Sequence, residues 1–149
     1  EKHDQDAAGF RAWCDDIDSR YVGRETAYFS KSASPINYDL IKDVPCHTEF
    51  FKWTQWHNLA FESIEFIREN YHDVPILTVH YEDYSTDCNR TVDKIVDFLE
   101  LDSTGIRLGF RQRPDYDTFY NDDLIAPIRR MIKTVANENT WKQVKHYFD

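Results

Sequence analysis

Apolar side chains at Phe10, Trp13, Cys14, Ile17 and Tyr21 return every three or four residues, with Arg11 and the acids of DDID on the opposite face. That period predicts an amphipathic helix closing at or soon after Gly23. From Arg24 to His47 the period fades into Ser30, Ser32, Ser34, Pro35, Asn37 and Pro45, the composition of a loop with one short strand or turn. A second helix is predicted to start on Thr48 as N-cap, with Glu49 at its positive end. Trp53, Trp56, Ala60, Ile64, Ile67 and Tyr71 then trace one face for about five turns. Asn70, His72 and Asp73 break the pattern before Pro75, and the branched, almost continuously apolar ILTVHY predicts a buried strand. Ser85, Thr86 and Asp87 offer caps for a helix that faces inward through Val92, Ile95, Val96 and Leu99. Helix, strand, helix is the grammar of a parallel α/β layer. A loop with Gly105, Gly109 and Pro114 leads to a helix striped by Leu124, Ile128, Met131, Ile132 and Val135. A short last helix, capped by Asn139 or Thr140, carries Trp141, Val144 and Phe148. Neither a repeat nor a low-complexity tract interrupts the 149 residues, which read as one compact unit.

Composition agrees with a folded chain: 41% hydrophobic and 15% aromatic residues exceed what a disordered tail carries. The net charge of -9 is uneven, with 10 basic and 21 acidic residues up to position 104 against 8 and 6 from Gly105 onward. An acidic chain without a long basic stripe gives no reason to expect nucleic acid, and the later part is where an anionic ligand meets least repulsion. No apolar run is long enough to span a bilayer, so membrane attachment would need a segment outside this chain. Cys14, Cys46 and Cys88 lack CxxC or zinc-finger spacing, which argues against a structural metal. In an oxidising compartment the pair to expect is Cys14 with Cys46, which flank the loop-rich segment; three buried free thiols is the alternative. Asn89-Arg90-Thr91 is a glycosylation sequon, meaningful only in a lumenal or secreted protein.

The stretches TEFFKWTQWHNLAFESI, VPILTVHYEDYSTDCNRTVDKIVDFLEL and TWKQVKHYFD together resemble the carboxy-terminal half of PAPS-dependent sulfotransferases, closest to the lumenal, carbohydrate-type members. In that family a long helix precedes a core strand ending in a tyrosine and one or two acids, and the next helix ends in Phe-Leu. The matching positions are Tyr81, Glu82, Asp83, Phe98 and Leu99. The resemblance implies an α/β fold, a P-loop-type parallel sheet with helices on both sides. Residues 1–149 would be the carboxy-terminal portion of one sulfotransferase domain, mostly helical alone, with one or two strands. It implies transfer of a sulfuryl group from PAPS, the co-substrate, to a hydroxyl or amine of a carbohydrate or other small acceptor, without a metal. The Golgi lumen, in a type II membrane protein, is the implied location; a cytoplasmic one stays open.

The family's phosphate-binding turn is not visible: four glycines, at 9, 23, 105 and 109, form no GxxxxGK[ST]-like loop, and the donor turn is expected upstream of residue 1. Arg111 and Arg113 are the candidate donor-binding residues, since paired guanidinium groups suit phosphate and sulfate oxygens; Asp115 and Asp117 are their other possible partners. His57, in WTQWH, is the candidate catalytic base, with a packed core histidine as the alternative. Trp53 and Trp56 are candidate sugar platforms, although their helical spacing equally suits a core stripe. Glu82 and Asp83 suit the start of a helix, and Glu82 also suits a ligand crevice at a strand end. Two rival functions remain: another nucleotide-dependent transferase, and a non-catalytic helical binding or scaffold domain.

Overall fold

The computed structural model describes residues 3, 4, 6–31 (backbone only for 22–31), 40, 41, 43–102, 105, 109, 110 and 119–148. Five helices carry the regular structure: α1 (Ala7–Lys31), α2 (His47–Asn70), α3 (Tyr81–Phe98), α4 (Asp122–Val135) and α5 (Glu138–Val144), the last running into a 3-10 turn, Lys145–Tyr147. Among the described residues there is no strand, which overturns the expected α/β parallel-sheet fold: their regular structure is all helical. The ILTVHY segment that was to be a buried strand lies mostly in an irregular stretch from Tyr71 to His80, and its Tyr81 opens α3. The reason is one that an apolar run cannot encode. A strand needs a neighbour to take its N–H and C=O groups, and no described segment supplies one.

The chain divides into two compact units, Glu1–Phe66 with Tyr116–Asp149, and Ile67–Asp115. In the first unit, the Asp6 carboxylate accepts from Gly9 N at 2.7 Å and caps α1. Gly9 is required there, because a Cβ would collide with the Asp4 backbone. α1 runs through Gly23 to Lys31, past the predicted end; one interior glycine costs only about 1 kcal/mol relative to alanine.

Cys14, fully buried, is bonded to Cys46 across 32 residues of sequence, with Cα atoms 4.5 Å apart. Cys46 has a left-handed φ of 57°, and its carbonyl accepts from Glu49 N and Phe50 N, so it is the residue that starts α2. A cysteine committed to a disulfide cannot cap with its side chain. The missing acceptor comes from α1: Asp18 Oδ1 accepts from Thr48 N at 3.0 Å. Thr48 is therefore not the cap but the second helical residue, and it is buried.

Ile128, Met131, Ile132 and Val135 of α4 form the core with Ile41, Val44 and Val144. Phe50, Phe51 and Trp53 of α2 pack against them, with Tyr120, Trp141 and Phe148. α4 is capped by Asn121, whose side chain accepts from Leu124 N, and α5 by Asn137, whose Oδ1 accepts from Thr140 N at 2.8 Å. The joint between them is pinned by α2. Asn58 Nδ2 donates to Val135 O and Asn58 Oδ1 accepts from Asn137 N, each at 3.0 Å. Asn137 and Asn139 donate to Glu62 and Glu65, both at 2.9 Å. Asn58, Glu62 and Glu65 recur at helical spacing, so one polar edge of α2 holds the whole turn.

In the second unit, Asp83 Oδ2 accepts from His80 N at 3.3 Å at the start of α3. The helix kinks at Asp87 (φ -152°, ψ 85°), whose Oδ1 accepts from Arg90 N and restarts it. A cap at Asp87 thus begins the second half of a helix that starts six residues earlier. α3 ends in a Schellman turn: Leu101 N donates to Val96 O and Glu100 N to Asp97 O, with Glu100 at φ 53°.

Two measurements test these ends. Asp18→Ala removes a charged acceptor from a part-buried N–H and is expected to lower unfolding free energy by about 1.5–3 kcal/mol in urea denaturation. Glu100→Gly relieves a left-handed side chain at a position glycine prefers and is expected to stabilise by about 0.5–1 kcal/mol. An unchanged urea midpoint in either variant contradicts the corresponding role.

Candidate functional site

Midway along α2, one turn after Trp53, the ring of His57 is half-buried among aromatic neighbours. Its Nδ1 lies 2.8 Å from Trp53 O. A carbonyl only accepts, so Nδ1 carries the proton and the neutral ring keeps its lone pair on Nε2, the atom able to act as a base. The ring centroid is 4.1 Å from Trp53, 4.9 Å from Trp56 and 6.0 Å from Phe61. Tyr147, from the carboxy-terminal 3-10 turn, meets Trp53 edge-on at 6.3 Å. The two tryptophans differ in setting. Trp53 packs on the core, whereas Trp56 is 65% exposed and offers an indole to solvent.

Apart from these rings, a concavity of about 350 Å³ is lined by Asp15, Asp18, Asp43, Val44, Pro45, His47 and Leu124. Asp18 Oδ2 and His47 Nε2 are 3.7 Å apart there, both largely buried. Among the described residues no group of three or more His, Cys, Asp or Glu is placed to hold a metal ion. Sequence reasoning missed this corner, because nothing local marks an aspartate that caps a helix some 30 residues away.

The described residues do not fit an anionic donor such as PAPS. A helix start attracts phosphate through unpaired N–H groups, yet each helix here begins on carboxylates. These are Asp6 for α1, Asp18 and Glu49 for α2, Glu82 and Asp83 for α3, Asp122 and Asp123 for α4, and Glu138 for α5. The acid-lined concavity repels the same charge. Arg111 and Arg113 lie outside the described residues. Asn89 is exposed on α3, while the Thr91 of its sequon is buried, its hydroxyl shared between Asp83 O and Asp87 O. Cys88, beside the kink, is a half-buried free thiol.

Comparison with family models, curated proteins and solved structures gives no match to the chain.

Tyr120 reports on the Asp18 corner. Burial first, then the Asp18 charge, push its hydroxyl up to about 12 from the usual 10, against a smaller opposing pull from Arg11. The neutral phenol is thus favoured by folding. Its contribution is complete below the unfolded value of 10 and is lost as pH rises through 12. Tyr120→Phe is expected to flatten the loss of stability between those values and to remove a step near 12 from a phenolate absorbance titration. An unaltered alkaline limb contradicts this placement.

Proposed function

We propose that the chain takes part in sulfuryl transfer from PAPS to a hydroxyl or amine acceptor, a carbohydrate in the first instance, and that it serves the acceptor side. The observation that carries this reading is the tautomer held at His57. With Nδ1 donating to Trp53 O, the neutral ring presents its lone pair at Nε2 among aromatic rings, the arrangement that a group taking a hydroxyl proton requires. Trp56, exposed beside it, offers the flat apolar face on which a sugar ring stacks. The run Tyr81, Glu82, Asp83 followed by Phe98-Leu99 agrees with the resembling family in sequence order alone, since in that family it closes a strand and here it opens α3. The Cys14–Cys46 bond supports an oxidising compartment such as the Golgi lumen, where the Asn89 sequon has meaning. Donor phosphates have no cradle among the described residues, so no step of the transfer is assigned to them; Arg111 and Arg113 remain the candidates for donor contact.

One observation favours a second reading. The carboxylates at every helix start suit a non-catalytic helical binding domain better than a nucleotide site. Titration calorimetry of the protein that carries this chain, with PAPS and with ATP, separates the possibilities. Heat with PAPS alone supports sulfuryl transfer, heat with ATP alone supports a different nucleotide-dependent transferase, and heat with neither favours the binding domain. In the same protein, His57→Gln is expected to lower kcat for labelled sulfate transfer to a glycan about 100-fold or more, with KM little altered. Turnover equal to that of the unsubstituted protein would remove His57 from the reaction.

A further inference from the structure

Asn89-Arg90-Thr91 is the single Asn-X-Ser/Thr sequence in the chain, so an N-linked glycan has one place to go. The motif sets two groups two residues apart: the Asn89 amide, which receives the sugar, and the Thr91 hydroxyl, which a transferase must reach to read the site. In an extended chain such positions point to the same side, and one enzyme surface meets both. A helix turns them about 200° apart, onto opposite faces. The sequon lies inside α3, just after the kink, and Asp87 is the residue out of helical geometry there.

The folded helix separates the two groups as that geometry requires. Asn89 is exposed, whereas Thr91 is 3% exposed. Thr91 Oγ1 lies 3.0 Å from Asp83 O and 2.9 Å from Asp87 O, and carbonyls only accept, so the hydroxyl proton is committed to them. In a straight helix Asp83 would stand about 12 Å from Thr91 along the axis, out of reach of a hydroxyl. The kink brings it close, and the Thr91 hydroxyl clasps the two halves of α3 together. The group that a transferase must read is therefore the group that closes the helix.

We infer that Asn89 accepts a glycan only while residues 81–98 are unfolded, and that closure of α3 withdraws the site. The Asn89 amide nitrogen attacks C1 of the first sugar of an oligosaccharide carried on a lipid pyrophosphate. The bond from C1 to the pyrophosphate oxygen breaks, the lipid pyrophosphate leaves with the electron pair, and the amide gives up one proton. The sugar already in place is compatible with the helix, since Asn89 faces outward. The inference rests on the lumenal reading of the Cys14–Cys46 bond and not on sulfuryl transfer.

The test has two arms, both with the full chain and the same lipid-linked donor. In one, the chain is translated with rough microsomes, so that the transferase meets it extended. In the other, the purified folded chain is given to detergent-opened microsomes. Transfer is read as a mass increase that an N-glycan amidase removes and that Asn89→Gln lacks. The nascent chain is expected to be modified, and the folded chain about tenfold or more slowly. Ile95→Pro removes the N–H that bonds Thr91 O and sets a ring against that carbonyl, and is expected to speed modification of the folded chain about tenfold or more. All four tryptophans lie in the first unit, so their unchanged fluorescence shows that this variant loosens α3 alone; if it does not, the two arms decide. A folded chain modified as fast as the nascent one, a nascent chain left bare, or an Ile95→Pro chain as resistant as the unsubstituted one overturns the proposal. No arm contains PAPS or an acceptor glycan, so any of these results leaves sulfuryl transfer to its own tests.

Discussion

Everything in the first unit depends on how α1 grips the first turn of α2. Cys14 and Asp18 are four residues apart, hence on one face of α1, and they hold α2 in two different ways. The disulfide closes a loop of 32 residues, which in the chain-entropy account is worth about 4 kcal/mol through the unfolded state. Asp18 supplies the charged acceptor that the first turn lacks, worth about 1.5–3 kcal/mol. Against these stands the left-handed backbone at Cys46, which costs about 1–2 kcal/mol in a residue other than glycine. The two favourable effects are larger, so the strained residue persists. The strain also has a use: a sharp reversal at Cys46 lets the carbonyl that begins α2 and the sulfur bonded to α1 belong to one residue.

Once α2 is fixed at its start, its faces distribute the remaining work. One packs Phe50, Phe51 and Trp53 against α4. A polar edge, Asn58, Glu62 and Glu65, ties down the α4–α5 joint. Asn58 is the decisive member, since its amide satisfies both a carbonyl at the end of α4 and an N–H at the start of α5. An apolar residue there would leave two part-buried backbone groups without partners. His57 lies one position before it. The imidazole is therefore mounted on a helix that is held at its beginning by α1 and at its middle by the α4–α5 joint. The second unit is held differently. Thr91 is its one buried residue among those described, and α3 is kept in shape by bonds at its own start, kink and end.

The stripes of α2 and α4 were legible because each buries a continuous apolar face, a property that repeats every turn and is written in the side chains themselves. Helix starts were less legible. Thr48 has the chemistry of a cap, but the turn before it is shaped by the Cys46 disulfide and its N–H goes to Asp18, a residue remote in sequence. Asn137, two residues before the expected Asn139, wins the cap of α5 because Asn58 already holds its N–H in place. ILTVHY misled for the opposite reason: its composition suits a strand, while pairing depends on a second segment that composition does not name. Among the functional candidates, the periodicity that put Trp53 and Trp56 on one stripe did not reveal that one faces the core and the other solvent. The hydrogen bond that sets the tautomer of His57 was equally hidden, since helical spacing brings Nδ1 near the Trp53 carbonyl but does not choose the rotamer.

Charge placement links fold to function. Acids at the start of each helix oppose the positive end of the helix dipole and stabilise it by about 0.3–1 kcal/mol where exposed. Side-chain caps take first-turn N–H groups as well, Asp6 in α1, Asp18 in α2, Asn121 in α4 and Asn137 in α5, so stabilising the helices disfavours anions at those ends. Cations have the complementary choice. Lys133 in the last turn of α4 and Lys142 in that of α5 sit where the dipole is negative, and Arg129 and Arg130 are close behind. Helix-end preference therefore explains Lys133 and Lys142 without any ligand. It does not explain Arg129 and Arg130, which lie before the last turn of α4, beyond the short reach of the dipole. The burial of Ile128, Met131, Ile132 and Val135 accounts for them instead: it leaves both positions on the exposed side of α4, where long charged side chains are the ordinary occupants.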